Sequence, residues 1–387
     1  MNVPKLRFKE FTDEWKTHKL KDFFSKITKK NKSNSIHNVI SNSAKFGLVK
    51  QIDYFSKDIA NTDNTESYFI IEKNDFVYNP RKSLEAPFGP ICKYNYNETG
   101  IVSPLYLCFR CSQLINHDFF EYLFKSSVWY KYIYQNGDSG ARHDRVNIKD
   151  STFFLMPIFV PQSKEQEKIA KFLTTVDKKI TNLENTITSL ENQKKGLLQQ
   201  IFSQKLRFKD KNGNNYPNWE KKKIGLICSI STGKSNTQDK IDNGKYPFYV
   251  RSATIERSSK YLYDEEATLT VGDGVGTGKV FHYVNGKYDL HQRCYRMFNF
   301  KNTHAKYFYY FFSSHFYNRV KRMSAKNSVD SVRMNMISDM IINLPCLEEQ
   351  TKIADFLSAF DRKLENQKAQ LEHWKQIKKG LLQQMFV

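Results

Sequence analysis

Apolar residues recur at alternating steps of three and four along two separate stretches of the chain, residues 158–202 and 342–387. A 3.5-residue period of this kind is typical of a left-handed coiled coil. The apolar positions of the first stretch are Leu173, Val176, Ile180, Leu183, Ile187, Leu190, Leu197 and Ile201. Those of the second stretch are Leu357, Phe360, Leu364, Leu371, Trp374, Leu381 and Met385. The pattern predicts two long helices, each with a lysine at one seam position, Lys194 or Lys378.

The two heptad stretches are copies of one another. IFVPQSKEQEKIAKFL, which starts at residue 158, aligns without a gap with INLPCLEEQTKIADFL at a constant offset of 184, and KKGLLQQ recurs whole. The string KLRFK also occurs twice, each time ahead of a tryptophan, Trp15 or Trp219. The chain is therefore a lead-in, a lobe and a helix, written twice. Because a lone helix cannot bury its apolar stripe, we expect the two helices to form an antiparallel intramolecular coiled coil.

The repeat divides the chain into lobes and helical regions. Each lobe has strand-like runs and one aromatic-rich helix, over about 118–134 or 304–323, which indicates an α+β fold with two similar lobes. The predicted segments are a first lead-in and lobe over 1–157, a central helical region over 158–204, a second lead-in and lobe over 205–341, and a C-terminal helical region over 342–387.

Finer correspondences link the two lobes. An offset of 188 aligns the aromatic residue Phe120 with Phe308, and the same offset aligns Arg145 with Arg333. In the second lobe, Asn285–Gly286 separates two runs of alternating apolar residues. Because Asn-Gly favours the positive φ angles of a type I′ turn, we predict a hairpin with its turn at this dipeptide.

The charge of the chain is strongly positive and unevenly distributed. Lys and Arg number 61 against 40 Asp and Glu, which gives a net charge of +21. Residues 1–157 contribute +6 and residues 203–341 contribute +12, whereas the heptad stretches contribute only +2 and +1. Such an excess repels itself unless a polyanion neutralises it, so the lobes are predicted to bind nucleic acid. A charged N-terminus and the lack of an 18-residue apolar run favour a cytoplasmic protein.

No pattern for catalysis or metal binding is complete. The single CxxC, at Cys108 and Cys111, lies in a strand-like run and has no second pair to complete a zinc site. YNPR at 78–81 departs by one residue from the NPPY loop of an adenine methyltransferase, and STGKS at 231–235 supplies only the tail of a phosphate-binding P-loop. We therefore predict no metal, no cofactor and no catalytic residue in this chain.

Basic and glycine-rich loops in the lobes are the candidate contacts to nucleic acid. Glycines let the backbone approach phosphates, while basic and amide side chains donate to phosphates or base edges. A carboxylate at such a surface, Asp273, would have to accept from a cytosine or adenine amino group. The candidates in the first lobe are Lys45, Asn79, Arg81, Lys82, Ser103, Arg142, His143 and Arg145. Those in the second lobe are Lys234, Ser235, Asn236, Arg251, Asp273, Lys279, Arg293 and Arg333.

The length of the predicted helices suggests a spacer. A helix from Ile169 to Ile201 would be roughly 50 Å long at about 1.5 Å per residue. Lobes at its two ends would lie about 15 base pairs apart on a duplex. The predicted target is therefore two short sequences separated by bases that are not read. Because the lobes differ, the two halves should differ as well.

This arrangement resembles the specificity (S) subunit of Type I restriction-modification systems over essentially the whole chain. Besides the duplicated helices, the likeness includes YNPRKS and GIVSPLY in the first lobe and GDGVGTGKV and HQRCYRM in the second. The resemblance implies that the lobes are two target-recognition domains for a bipartite DNA site and that the chain has no catalytic activity. It also implies two adenine-N6 methyltransferase (M) subunits, which use S-adenosylmethionine, and restriction (R) subunits, which use ATP and Mg.

Two alternatives from other classes remain open on the residues alone. The chain could be a stand-alone adenine methyltransferase or nuclease, although it lacks a complete motif for either. It could also be an adaptor that forms a homodimer through its heptads and reads no sequence. Methyl transfer by the chain alone would favour the first alternative, and concentration-dependent sedimentation would favour the second.

Overall fold

The computed structural model describes residues 2–54, 65–111, 115–138, 143–274, 276–323 and 331–387. The chain divides into two compact units that share the long helices. Unit 1 comprises Met1–Glu184 with Gln370–Val387, and unit 2 comprises Asn185–Ala369. Each unit therefore contains one lobe, one half of the first heptad stretch and one half of the second.

The lobe of unit 1 is built from short strands and helices around two four-stranded sheets. One sheet has the strand order β2-β9-β6-β7, the other has the order β4-β3-β8-β5, and β1 pairs with β10. The strands are β1 (Lys16–Lys19), β2 (Phe24–Lys26), β3 (Val39–Ser43), β4 (Gly47–Lys50), β5 (Phe69–Ile71), β6 (Phe76–Tyr78), β7 (Ile91–Lys93), β8 (Gly100–Val102), β9 (Leu107–Cys111) and β10 (Pro157–Val160). The helices are α1 (Gln51–Tyr54), α2 (His117–Lys125), α3 (Tyr130–Asn136), α4 (Asp150–Phe154) and the long α5 (Ser163–Phe202).

The lobe of unit 2 repeats this plan with longer strands. Its six-stranded sheet has the order β12-β17-β15-β16-β13-β14, and β11 pairs with β18. The strands are β11 (Glu220–Lys223), β12 (Ser229–Thr232), β13 (Tyr246–Tyr249), β14 (Ile255–Ser258), β15 (Tyr263–Val271), β16 (Phe281–Leu290), β17 (Cys294–Phe298) and β18 (Ile341–Leu344). The helices are α6 (Ile224–Ile227), α7 (Ala305–Met323), α8 (Met334–Ser338) and the long α9 (Leu347–Gln384).

Strand pairing shows that the two lobes share a core arrangement of strands, although unit 1 divides it between two sheets. Strand β6 lies between β7 and β9 in unit 1, and β15 lies between β16 and β17 in unit 2. Both lobes also contain one parallel pair, β3 with β8 and β13 with β16. The matched Phe120 and Phe308 lie on α2 and α7, which begin at equivalent residues, and both side chains are buried. The predicted duplication of an α+β lobe is confirmed.

The long helices pair antiparallel within each unit. In unit 1, Asp177 and Glu184 of α5 form ion pairs with Lys378 (2.6 Å) and Lys375 (2.8 Å) of α9. The partner number falls as the helix number rises, so the helices run in opposite directions. Unit 2 repeats the arrangement, because Glu191 pairs with Lys368 and Lys194 pairs with Asp361. The predicted intramolecular antiparallel coil is confirmed.

Most of the predicted seam residues are buried or half-buried, and those nearest the lobes, such as Leu173 and Leu357, belong to the lobe cores. Six of the first stretch, from Leu173 to Leu190, are buried, and Leu197 is half-buried. In the second stretch Leu357 and Leu364 are buried, whereas Phe360 and the later positions Leu371, Trp374 and Leu381 are half-buried. The buried stripe thus follows the heptad period along both helices, as apolar side chains in a coiled coil must.

The KLRF lead-in is held to the start of each long helix by a buried ion pair. Arg7 donates to both carboxylate oxygens of Glu165 at 2.7 and 2.8 Å, and Glu165 is only 1% exposed. Arg207 contacts Glu349 in the same way at 2.7 and 2.9 Å. A bidentate guanidinium satisfies both oxygens of a carboxylate that would be costly to bury alone. The same contact therefore holds both copies of the lead-in.

Two predicted elements differ from the structure. The Asn285–Gly286 dipeptide lies inside β16, opposite Glu266 and Glu265 of β15, and forms no hairpin turn. Only Gly286 of the pair has a positive φ, and the chain reverses instead in the glycine-rich segment that follows β15. The single aromatic helix expected over 118–134 is two helices, because Ser126 is extended and its hydroxyl donates to the carbonyl of Leu123 at 2.6 Å.

The alignment of Arg145 with Arg333 is also wrong. The backbone N–H of Val146 donates to the carbonyl of Pro80, and that of Val332 donates to Gly272. The two valines therefore occupy equivalent positions, which makes Ser331 the counterpart of Arg145. Three residues separate Val146 from α4, but Arg333 alone separates Val332 from α8, so the offset changes within this segment.

Candidate nucleic-acid interface

Most of the contacts predicted in the first lobe line one cleft. The cleft has a volume of about 680 Å³ and lies between the segments that follow β3, β6 and β8. Four basic side chains and one acidic side chain, Glu85, line it, so it is positive. The predicted residues that it brings together are Lys45, Asn79, Arg81, Lys82, Ser103 and Arg145.

Backbone pairing places two arginines of the cleft side by side. Arg81 and Arg145 form an isolated antiparallel bridge. On either side of it, the N–H of Lys82 donates to the carbonyl of Asp144 at 2.8 Å and the N–H of Val146 donates to that of Pro80 at 2.9 Å. Two guanidinium groups fixed on adjacent backbones repel one another. An anion bound between them would remove this repulsion.

Asn79 has a structural role at the back of the cleft. Its amide donates to the carbonyl of Asn42 at 2.9 Å and accepts from the N–H of Arg81 at 3.0 Å. Gly89 lies against the same turn with a φ of +83°, and a Cβ there would lie 2.1 Å from the carbonyl oxygen of Asn79. The turn that presents Arg81 therefore depends on an asparagine and a glycine that have no charge.

The remaining first-lobe candidates are Arg142 and His143. His143 is exposed with a left-handed backbone (φ +53°), and Arg142 lies outside the described residues. Sequence reasoning missed two leucines of the cleft, Leu84 and Leu105, which are 105% and 59% exposed. An apolar side chain in a basic loop is a signal that could have identified them, because such side chains contact the methyl group of thymine.

The phenol of Tyr106 lies in the positive field of the cleft. Burial raises the pKa of its phenol, while Arg145 and Arg81 act in the opposite direction. Both guanidinium groups are therefore close enough to the ring to favour negative charge there. The same field acts on any anion that enters the cleft.

In the second lobe, hydrogen bonds join three loops into one surface, which we call the second-lobe loop surface (residues 233–236, 272–274, 276–280 and 291–293). The N–H of Lys234 donates to the carbonyl of Leu290 at 3.1 Å, and the N–H of Gly272 donates to that of Arg293 at 2.8 Å. A Cβ at Gly233 would lie 2.2 Å from the carbonyl oxygen of Leu290. Close contact at this glycine brings the loops together.

Asp273 lies between two arginines on this surface. Arg251 Nη1 is 3.5 Å from one carboxylate oxygen and Arg293 Nε is 3.7 Å from the other. The side chains of Asp273, Arg251 and Arg293 are 27%, 49% and 64% exposed. These contacts are longer than a bidentate pair, so the carboxylate keeps lone pairs for another donor. The three side chains together carry a charge of +1.

His291 fixes the turn that carries Arg293. Its Nδ1 accepts from the N–H of Arg293 at 3.0 Å, and its Nε2 lies 3.3 Å from the Thr237 hydroxyl. Burial lowers the pKa of His291, and the nearby Arg251 and Arg293 lower it further against the opposing effect of Asp273. The neutral ring, with an unprotonated Nδ1 that can accept from Arg293, is therefore the form that supports the turn.

The other second-lobe candidates lie in different environments. Lys234 is exposed, whereas Ser235 is buried and donates to Asp289 at 2.7 Å, so its hydroxyl supports the loop from inside. The amide of Asn236 accepts from Gln292. At the edges of the surface, the exposed Lys279 lies over the ring of Tyr317, and the exposed Arg333 precedes α8.

Cysteine, histidine and acidic side chains are the other groups to consider in the described ranges. Within those ranges no group of three or more His, Cys, Asp and Glu side chains could hold a metal ion. Cys108 is buried in β9, and burial raises its pKa, as it also raises that of Cys92 to about 12. Thiols of this kind are weak nucleophiles. None of the described helices is long and apolar enough to cross a bilayer.

Comparison with known proteins identifies relatives of both lobes. A model of the family described as Type I restriction modification DNA specificity domain matches residues 12–192 and 216–373. The Type I restriction enzyme EcoDI specificity subunit of Escherichia coli is 26% identical over 165 residues, which is 43% of this chain and 36% of that protein. The putative type I specificity subunit S.MpnORF507P of Mycoplasma pneumoniae is 28% identical over 155 residues, 38% of this chain and 42% of that protein. The chain thus aligns with less than half the length of these two relatives.

Solved structures share the fold over nearly the whole chain. The S subunit of a Type I restriction-modification system from M. genitalium has a TM-score of 0.63 at 15% identity, over 100% of this chain and 99% of that one. A chain from work on complex assembly and conformational transition of the type I R-M system has a TM-score of 0.57 at 13% identity, over 95% and 96%. The two family matches include both lobes and most of both long helices. The chain therefore belongs to the family of Type I restriction-modification DNA specificity domains.

Proposed function

We propose that this chain is the DNA-recognition subunit of a Type I restriction-modification complex and that each lobe binds one half of an asymmetric, bipartite target. One observation carries the proposal: one core arrangement of strands occurs twice, and each copy presents a basic surface made of different residues. Duplicated frameworks with unlike surfaces suit the reading of two unlike sequences. Under this proposal the chain has no catalytic activity of its own.

The coiled coil is proposed to set the gap between the half-sites. Helix α5 has 40 residues, which is about 60 Å of helix, and each of the two units contains part of it. Helix α9 has 38 residues and is shared in the same way. Ion pairs between the helices in both units support a stiff connection. A stiff connection would hold two readers at a fixed separation.

The proposed partners are two methyltransferase (M) subunits and the restriction (R) subunits. The former would supply S-adenosylmethionine chemistry, and the latter would supply chemistry that requires ATP and Mg. The repeat supports two copies of one partner, because the Arg7–Glu165 contact recurs as Arg207–Glu349 at the equivalent place. A partner that binds near the Arg7–Glu165 contact would meet equivalent features near the Arg207–Glu349 contact, so two copies could bind.

A binding selection tests the proposal. The full-length chain, alone and with its methyltransferase subunits, is incubated with random duplex DNA, and the bound sequences are read. We expect a motif of two unrelated halves with a constant gap. Replacing Arg81 and Arg145 by alanine should remove one half and leave the other. A single continuous motif, or the loss of both halves together, would contradict the proposal.

Two controls separate the alternatives. The chain alone is incubated with DNA and S-adenosylmethionine, where we expect no methyl transfer; transfer without another protein would indicate a stand-alone methyltransferase. Sedimentation over a wide range of concentration should show one species of constant mass. A mass that doubles with concentration would favour a homodimerising adaptor.

A further inference from the structure

We propose that the two lobes read different base edges with one structurally equivalent residue, Arg81 in the first lobe and Asp273 in the second. Arg81 would donate to guanine, and Asp273 would accept from the exocyclic amino group of cytosine or adenine. This inference rests on the proposed function, since it assumes that both surfaces contact DNA. It adds a residue in each lobe that determines which base is bound.

Backbone pairing establishes the equivalence. Arg81 forms an isolated antiparallel bridge with Arg145, and Asp273 forms one with Ser331. Arg81 is the third residue after β6, and Asp273 is the second residue after the equivalent strand β15. The residue just before each of them, Pro80 or Gly272, accepts a hydrogen bond from a buried valine, Val146 or Val332. The framework is the same, and the side chain that it presents has changed sign.

The surroundings of Asp273 make a carboxylate at this surface tolerable. DNA phosphates repel a lone carboxylate, but Arg251 and Arg293 lie 3.5 and 3.7 Å away on opposite oxygens and leave the group of three with a net positive charge. The carboxylate remains 27% exposed, so a ligand can reach it. A carboxylate that only balanced charge within the lobe would be expected to form shorter contacts.

The surroundings of Arg81 suit a donor. Its side chain is exposed, lines the cleft and forms no salt bridge with any residue in the described ranges. Its neighbour across the bridge is Arg145, where the second lobe has the uncharged Ser331. Because a guanidinium matches O6 and N7 of guanine, and a carboxylate matches an amino hydrogen, the two residues select opposite hydrogen-bond partners.

Base analogues test each assignment atom by atom. Once selection has given a motif, binding of the full-length chain is measured on duplexes in which one base lacks one group. 7-Deazaguanine lacks N7, 2-pyrimidinone lacks the amino group of cytosine, and unsubstituted purine lacks that of adenine. For the wild-type chain we expect a loss of roughly tenfold with 7-deazaguanine at one position of the first half-site. A similar loss is expected at one position of the second half-site with either amino-lacking analogue.

The same analogues are then tested against variants that lack the proposed contact. In Asp273→Ala the amino-lacking analogue should no longer weaken binding, and affinity for unrelated DNA should rise or stay constant because a negative charge is lost. In Arg81→Ala, which removes the donor, 7-deazaguanine should have no further effect. Asp264→Ala, at an exposed position of β15, is the matched control and should retain the wild-type penalties.

The outcomes are distinguishable. If a bipartite motif is selected but the analogues weaken wild type and variants equally at every position, this inference is overturned and the proposed function stands. If no bipartite motif is selected, the proposed function itself fails. Should Asp273→Ala not fold, Asp273→Asn replaces it; because an amide accepts through one oxygen only, a reduced coupling to the amino group is then expected, and full wild-type coupling would overturn the assignment.

Discussion

At the scale of residues, the charges of this protein fall into two groups. One group is the arginine–glutamate pairs of the repeated segments, Arg7–Glu165 and Arg207–Glu349, which are partly buried. The other group is the charges of the lobe loops, such as Lys234, which are exposed and differ between the lobes. The first group holds each lead-in to its helix, and the second is available to a ligand. Mutations in the two groups should therefore have different consequences.

Replacing Arg7 by alanine should destabilise the fold. Glu165 would be left buried without its bidentate partner, which costs roughly 3 kcal/mol in a buried pair. Chemical unfolding followed by tryptophan fluorescence measures the change. Lys9→Ala is the matched control, because Lys9 belongs to the same lead-in and is exposed. Equal stability of the two variants would mean that the ion pair does not hold the lead-in.

Replacing Lys234 by alanine should weaken DNA binding without destabilising the fold. Binding that neutralises one phosphate fewer should have a salt dependence, as the slope of log K against log salt concentration, that is smaller by about one. Lys221→Ala, on an exposed position of β11 in the same unit, should leave the slope unchanged. An unchanged slope in Lys234→Ala would remove this loop from the interface.

At the scale of elements, a tyrosine, an aspartate and a lysine connect each lobe to both long helices. In unit 1 the hydroxyl of Tyr122 on α2 donates to Asp177 at 2.9 Å, and Asp177 also pairs with Lys378. In unit 2, Tyr310 on α7 donates to Asp361 at 2.7 Å, and Asp361 also pairs with Lys194. The polar lysine in each heptad seam therefore has a specific partner. A lysine in the seam lowers the stability of the coil, and the ion pair with aspartate offsets this loss and fixes the register of the two helices.

A double-mutant cycle between Tyr310 and Asp361 should reveal this connection. A hydrogen bond to a charged group contributes about 1.5–3 kcal/mol, so Tyr310→Phe should lower the free energy of unfolding by about that amount. In an Asp361→Asn background the same substitution should cost clearly less. Tyr309→Phe serves as the control for removing a hydroxyl from the same helix, since the contacts of Tyr309 with Tyr283 and Tyr310 are made by its ring. Additive effects of Tyr310→Phe and Asp361→Asn would show that the two side chains are not coupled.

The elements also show how far sequence reasoning extends. The heptad stripe predicted both long helices, because a 3.5-residue period is set by local geometry and was present twice. The turn predicted at Asn285–Gly286 was wrong. The turn preference of one dipeptide is weak compared with the many strand-pairing contacts between β15 and β16 on both sides of it. The first aromatic helix is interrupted at Ser126, which is extended and whose hydroxyl donates to Leu123, and the apolar period gives no signal of this.

The candidate interface was predictable in part for a similar reason. Loop composition pointed to Arg81 and Arg145, and backbone pairing brought them together. Composition could not show that Ser235 points inward, because that depends on the buried Asp289, which is distant in sequence. Nor could it align Arg81 with Asp273, since residues of opposite charge look unrelated until strand pairing is known.

At the scale of the whole molecule, the protein is an internal duplication of one structural unit. Each unit combines a lobe, a lead-in contact and an antiparallel pair of helix halves. The features that recur are those that connect lobe to helix, and the features that differ are the loop surfaces. Under the proposed function, this division would let each surface specialise for its own half-site while the connection to the helices stays the same.

The central claim is that the coiled coil sets the gap between two half-sites, and lengthening it is the most direct test. Seven residues, one heptad, are inserted after Thr186 and after Gln370, so that the seam stays in register in both helices. The DNA motif bound by this protein together with its methyltransferase subunits is then compared with the wild-type motif. We expect both half-sites to be unchanged and the gap to grow by about 10 Å, or roughly three base pairs. An unchanged gap in a folded, DNA-binding variant would contradict the claim.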